Sequence, residues 1–252
     1  IRYIDWRVTA RHRRPYSKVF LEEKNRPAFI VLDQRRSLFF GSKNKMKSVL
    51  ACQIAGILAG SILKSKDRLG TVIFNDERVV EIRPQASTQN FQRFCKEATK
   101  MNAALLENNR PIPILTKNTL EETFKSLACI VKPGSLVMIV SDFHQVSETI
   151  MRYLPSLAEH NQVMCFRIYD PLEEKLPMGN LTYTNGAQKI TLTPDDARVC
   201  TRFSDHAKHF KRILEKNLLQ KHIPLYHCST EEDPFLTLKK LFRQASPSAR
   251  SR

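Results

Sequence analysis

The sequence predicts an α/β fold: a doubly wound, mostly parallel central sheet with helices on both faces. Three observations predict it. Three apolar runs, "PAFIVLD", "SLVMIVSD" and "QVMCFRIYD", have strand length and no polar alternation, as strands buried on both faces do. Segments of helical length separate them. No linker, repeat or shift of composition divides the 252 residues, so one large domain accommodates most of the chain.

The elements follow in order. Residues 1–26 form a basic arm with Arg2, Arg7, Arg11, Arg13, Arg14 and Lys18, in which "SKVFLEE" reads as a strand packing on the core. The main domain is expected over 27–243. "PAFIVLD" is its first buried strand and ends on Asp33. A helix runs from Lys45 to about Lys66; Gly56 and Gly60, four apart, suit its close packing on a sheet. "LGTVIFND" and "RVVEIRP" are strands joined by a tight turn at Asn75–Asp76–Glu77, which makes one of them an antiparallel edge. Thr88 to Leu106 is a capped helix and "ENNRPIPILTKN" a loop. "TLEETFKSLACIV" opens with Thr119 and Glu122 at capping-box spacing. "SLVMIVSD" ends on a second acid, Asp142. "VSETIMRYLPSLAEH" is a helix in which Pro155 marks a kink. "QVMCFRIYD" is the third buried strand. "NLTYTNGAQKITL" alternates about Asn185–Gly186, the signature of a hairpin inserted at about 177–193. A long basic helix from Asp195 to about Gln220, the strand "IPLYHCS" and a helix from Asp233 to Arg243 complete the domain. Residues 244–252 read as a disordered tail.

The formal charge of +16 favours anionic partners: nucleic acid, an anionic membrane face or an acidic protein surface. Six scattered cysteines without a CxxC pair read as reduced, buried thiols in a cytoplasmic setting. The longest apolar stretch, Ser48 to Leu63, falls short of the roughly 20 residues that span a bilayer and suits a buried helix. The abrupt start at "IRYIDWR" leads to the expectation of a preceding segment.

No Walker A loop or glycine-rich dinucleotide fingerprint occurs among the 7 glycines, which argues against ATP hydrolysis and hydride transfer. Ser141, Asp142 and His144 place triad residue types side by side, but "VSDFHQ" lacks the sharp glycine-rich elbow a nucleophile needs. His206 and His209, with Cys200 nearby, lack a fourth ligand at metal-binding spacing. The expectation is a binding protein and not an enzyme.

Several collinear stretches carry a resemblance. They are "RYIDWRVTARHRRPYSKVFLEE", "IVLD" with "FFGS" beyond it, "DRLG", "IVSDF" and "DPLEEKLP". Together they resemble the bacterial family designated domain of unknown function fifty-eight, whose members are von Willebrand factor A-like and commonly encoded beside MoxR-type AAA+ ATPases. The resemblance implies a von Willebrand A-type sheet, a protein-binding role and, as partner, a MoxR-type ATPase or its client. It implies a cytoplasmic location, at the face of the inner membrane where a membrane-spanning segment precedes the domain. It also implies that Trp6 anchors the arm on the core. The runner-up reading is a basic protein that binds nucleic acid or another anionic surface through residues such as Arg11 and Arg13.

Such domains hold one Mg²⁺ or Mn²⁺ on an Asp-x-Ser-x-Ser motif, a Thr and a further Asp, all hard oxygen ligands. Carried over, the metal set is Asp33, Ser37, Thr119 and Asp142, with Thr116 as the alternative hydroxyl and Lys117 beside it. Arg35 stands where the first Ser belongs. A guanidinium has donors only and cannot coordinate a cation. The expectation is therefore a degenerate site in which Arg35, with Lys117, occupies the cation position, neutralises Asp33 and Asp142, and joins Thr116 in contacting the partner.

Overall fold

The computed structural model describes residues 25–107, 117–144, 147–177, 179, 181–184, 189–192 and 197–245. The arm with Trp6, Arg11 and Arg13 lies outside them, as do Thr116 and residues 246–252. Among the described residues there are eight strands: β1 (Pro27–Asp33), β2 (Arg68–Phe74), β3 (Val79–Gln85), β4 (Leu136–Ser141), β5 (Gln162–Tyr169), β6 (Leu181–Thr184), β7 (Lys189–Leu192) and β8 (Leu225–Ser229). The helices are α1 (Lys47–Lys64), α2 (Thr88–Glu107), α3 (Lys117–Ile130), α4 (Ser147–His160), α5 (Pro171–Glu174), α6 (Ala197–Leu219) and α7 (Pro234–Ala245).

Six strands form one sheet in the order β3-β2-β1-β4-β5-β8. All neighbours are parallel except β2 and β3, which pair antiparallel through the expected tight turn. The core lies on both faces of this sheet. Ala28, Ile30 and Leu32 of β1 join α1, α2 and Leu238 of α7 on one face. Phe29 and Val31 join α3, α4, Leu214 and Leu218 on the other. Burial on both faces is why these strands read as unbroken apolar runs. Helix α1 is long and apolar enough to cross a membrane. Here Leu50, Ile54, Leu58 and Ile62 are buried against the sheet.

Strands β6 and β7 pair antiparallel as a separate two-stranded sheet, and the expected Asn185–Gly186 turn between them lies outside the described residues. Three details differ from the sequence reading. Helix α3 begins at Lys117, so Thr119 lies inside its first turn and not at its N-cap position. Helix α7 continues to Ala245, two residues into the expected tail. The short α5 was not anticipated at all. The cysteines are free, but only Cys165 and Cys228 are fully buried and Cys129 is exposed.

Candidate functional site

Strand alternation builds the site. Phe29, Val31 and Asp33 point to one face of β1, and Val137, Ile139 and Ser141 to the same face of β4. The register pairs Leu32 with Val140, so Asp33 and Ser141 come side by side where the two strands end. This is the point at which the sheet order reverses, the usual place for a ligand in an open α/β sheet.

Ser141 Oγ donates to Asp33 Oδ2 at 2.6 Å and accepts from the Phe143 amide at 3.0 Å. Those bonds hold a turn in which Phe143 takes a φ of 57° while its ring is buried. The next amide, of His144, donates to Asp142 Oδ1 at 3.0 Å. Ser141 is thus committed to Asp33, and the His144 ring stacks on Phe210 at 4.9 Å. The triad residue types make no nucleophile–base contact with one another.

Two protein cations sit on the two aspartates. The Arg35 guanidinium donates to Asp33 through Nε, at 3.0 and 3.1 Å to the two carboxylate oxygens, and through Nη2 at 2.7 Å. Nη2 also lies 3.7 Å from Asp142 Oδ1. The second cation is Lys47, at the start of α1. Its ammonium donates to Asp142 Oδ2 at 3.1 Å and to Glu173 Oε1 at 2.6 Å. Burial would lower the Lys47 pKa, but Asp142 and Glu173 hold it above its ordinary value. Burial would likewise raise the Asp142 carboxyl, yet Lys47 and then Arg35 hold it below the usual range. Asp142 is therefore a carboxylate and Lys47 an ammonium at neutral pH.

The rest of the motif turns away. After Arg35 the chain enters a 3₁₀ turn, Arg36–Leu38, and Ser37 on it is exposed. Asp33 and Asp142 are buried, and Arg35 and Lys47 are buried against them. Lys117 and Thr119 fall within α3, but their side chains lie outside the described residues. The oxygens of Asp33 and Asp142 are taken up by the guanidinium, the ammonium, Ser141 and backbone amides. This arrangement does not fit a divalent cation, which would need those oxygens and would meet two positive charges.

A third acid completes the frame. Asp170 caps α5, accepting from the Leu172 amide at 3.0 Å, while Glu173 Oε2 accepts from the Asp170 amide at 3.0 Å. The other Asp170 oxygen takes the Ser42 amide at 2.9 Å and Thr230 Oγ1 at 2.7 Å. Burial pushes its pKa up, and the bonds from Thr230, Ser42 and Leu172 more than offset that. Glu174 accepts from Arg167 at 2.8 Å. The "DPLEE" stretch thus ties together the loops after β1, β5 and β8 and holds Lys47 in place. Lys47 and α5 are the functional parts that sequence reasoning missed; the motif stretch "DPLEEKLP" was the visible signal for α5. Clefts of about 480, 520 and 230 Å³ lie elsewhere, lined by residues such as Ser87, Pro224 and Tyr153, near the opposite end of the sheet.

The site thus consists of paired aspartates past the two central strands of a doubly wound sheet with one antiparallel edge. The chain belongs to the DUF58 family of proteins of unknown function, whose family model matches residues 1–212. It is 24% identical over 177 residues to the uncharacterized protein Rv1480 of Mycobacterium tuberculosis, an alignment covering 70% of this chain and 53% of that protein. The uncharacterized protein Mb1516 of Mycobacterium bovis matches to the same extent. The chain thus spans about half the length of these relatives. Among solved structures, the conserved hypothetical protein BatB of Bacteroides thetaiotaomicron superposes with a TM-score of 0.52 at 12% identity, covering 90% of this chain and 100% of that one. A von Willebrand factor type A protein of Catenulispora acidiphila aligns with a TM-score of 0.36 at 11% identity, over 88% of this chain and 42% of that one.

Proposed function

We propose that the chain is a protein-interaction module whose adhesion site has exchanged its metal for two side-chain cations, and that it engages its partner without a divalent ion. The observation that carries this reading is the Arg35 guanidinium, 2.7 Å from Asp33 and 3.7 Å from Asp142, where one cation would be shared. A partner carboxylate has no open metal position to fill. Contact falls instead on the rim made by the loops after β1 and β8, joined by Lys43–Glu231 at 2.8 Å, and on α6. The role is binding and not catalysis.

The family resemblance supports a MoxR-type AAA+ ATPase or its client as partner, met in the cytoplasm or at the inner face of the membrane. Interferometry of the immobilised chain against such an ATPase tests this. Saturable association is expected, and its absence up to about 100 μM, weaker than about 5 kcal/mol of binding, would remove the assignment. The net charge of +16 favours the alternative, an anionic surface or nucleic acid. That reading requires duplex DNA binding that falls by a factor of about 10³ or more between roughly 50 and 200 mM salt.

A further inference from the structure

Helix α6 carries two adjacent rows of residues, each spaced alternately four and three apart. The inner row ends in Leu214 and Leu218, which are buried against the sheet. The outer row is Val199, Phe203, His206, Phe210, Ile213 and Asn217. Three of its four apolar members are uncovered, with Val199, Phe203 and Ile213 at 51%, 37% and 43% exposed, while Phe210 packs partly against the core. Alternating spacings of four and three along one face are the seam by which one helix packs on another. A bilayer takes a broader apolar face than such a narrow row provides.

The solvent-side flank of the row is Arg202, His209 and Lys216, seven residues apart. Arg198 and Arg212 lie beyond it. Of the acids on α6, Asp205 pairs with Lys208 and Glu215 with His227. A second copy of the helix would bring cationic flank against cationic flank, so charge disfavours a homodimer. Phe210 stacks on His144, whose carbonyl accepts from Arg35 Nη2 at 3.5 Å, so the row runs up to the candidate site.

We infer that the outer row of α6 is a docking seam for an acidic amphipathic helix of the partner protein. This rests on the reading of the chain as a protein-interaction module and names the chemistry of what it binds. His206 and Asn217, polar residues within the row, set the register of the pair.

The test is fluorescence anisotropy of the full chain with two labelled peptides of about three heptads, Leu at the seam positions and either Glu or Lys at the flanks. The Glu peptide is expected to bind at least about tenfold more tightly than the Lys peptide. Arg202→Glu with Lys216→Glu should invert that preference. Val199→Ser with Ile213→Ser should weaken the Glu peptide at least about tenfold, with thermal melting unchanged because both side chains are exposed. Equal binding of the two peptides, no binding, or indifference to these variants overturns the inference. So does co-sedimentation with vesicles of phosphatidylglycerol and phosphatidylcholine that the serine variant abolishes, which would assign the seam to a bilayer. Association with a MoxR-type ATPase that ignores the α6 variants would sink the seam and leave the interaction module standing.

Discussion

Arg35 and Asp33 are two residues apart, and their contact is made through a bidentate fork with both groups buried. Removing one partner of such a pair leaves an uncompensated charge in the interior. Arg35→Ser should therefore destabilise the fold by about 3–5 kcal/mol, read from urea denaturation in chelator. Arg35→Lys should recover only part of this, because an ammonium cannot reproduce the two-point fork. The pH dependence follows from the same groups. Asp142 is held below its ordinary 3.8, so its contribution is full above that value and is lost as pH falls through the depressed one. Lys47 is held above its ordinary 10.5, so its contribution is full below that value and is lost as pH rises through the raised one. These two groups add no slope to the urea midpoint between those values and lower it on both sides. A Lys47→Met variant should have a shallower alkaline limb, the part left being that of the buried thiols Cys52, Cys165 and Cys228. Asp33 and Asp142 were legible in the sequence because each ends an apolar strand. Lys47 was not, because its partners Asp142 and Glu173 lie 95 and 126 residues away. Nothing in "NKMKSVL" separates a buried lysine from a solvated one. Ser37 enters the ligand set only through the motif that the family resemblance implies, and the 3₁₀ turn after Arg35 carries it to the surface.

The four-residue α5 is the element on which the loops converge. Asp170→Ala would strip its cap and leave the Ser42 amide and the Thr230 hydroxyl without their acceptor. A lost cap and unpaired buried donors together suggest a loss of about 2–4 kcal/mol, measurable by urea denaturation. Asp170→Asn should lose less, since its amide oxygen still accepts. The "DPLEE" stretch stood out in the sequence, but its partners belong to distant loops, and only folding brings them to it. The "DRLG" stretch has a packing reason instead. A Cβ at Gly70 would meet the Phe29 ring at 2.7 Å and the Pro84 ring at 3.0 Å. Gly70→Ala should cost about 1–3 kcal/mol by overpacking between β1 and β3, seen as a lower melting temperature. Asp67 in the same stretch accepts from the Arg26 amide at 3.0 Å and so fixes the entry into β1. The long apolar strands were readable because burial on both faces leaves an unbroken pattern. The short α5, too brief for any periodicity, was not.

For the molecule as a whole, the parallel sheet places its two central strand ends together, and the sequence fills that point with its own cations. The open α/β frame offers the usual ligand position there, and fixed charge occupies it. On the proposed reading, partner recognition falls on outer surfaces such as the seam inferred on α6. The central claim is that Arg35 and Lys47 stand where a metal would. Calorimetric titration of the chain with Mn²⁺ tests it most directly, with Asp33→Ala as control. The account expects no saturable heat from the chain at up to roughly millimolar Mn²⁺, beyond what surface carboxylates give in the control. Saturable binding at lower concentration that disappears in Asp33→Ala would contradict it, because Asp33 would then be serving a metal and not Arg35.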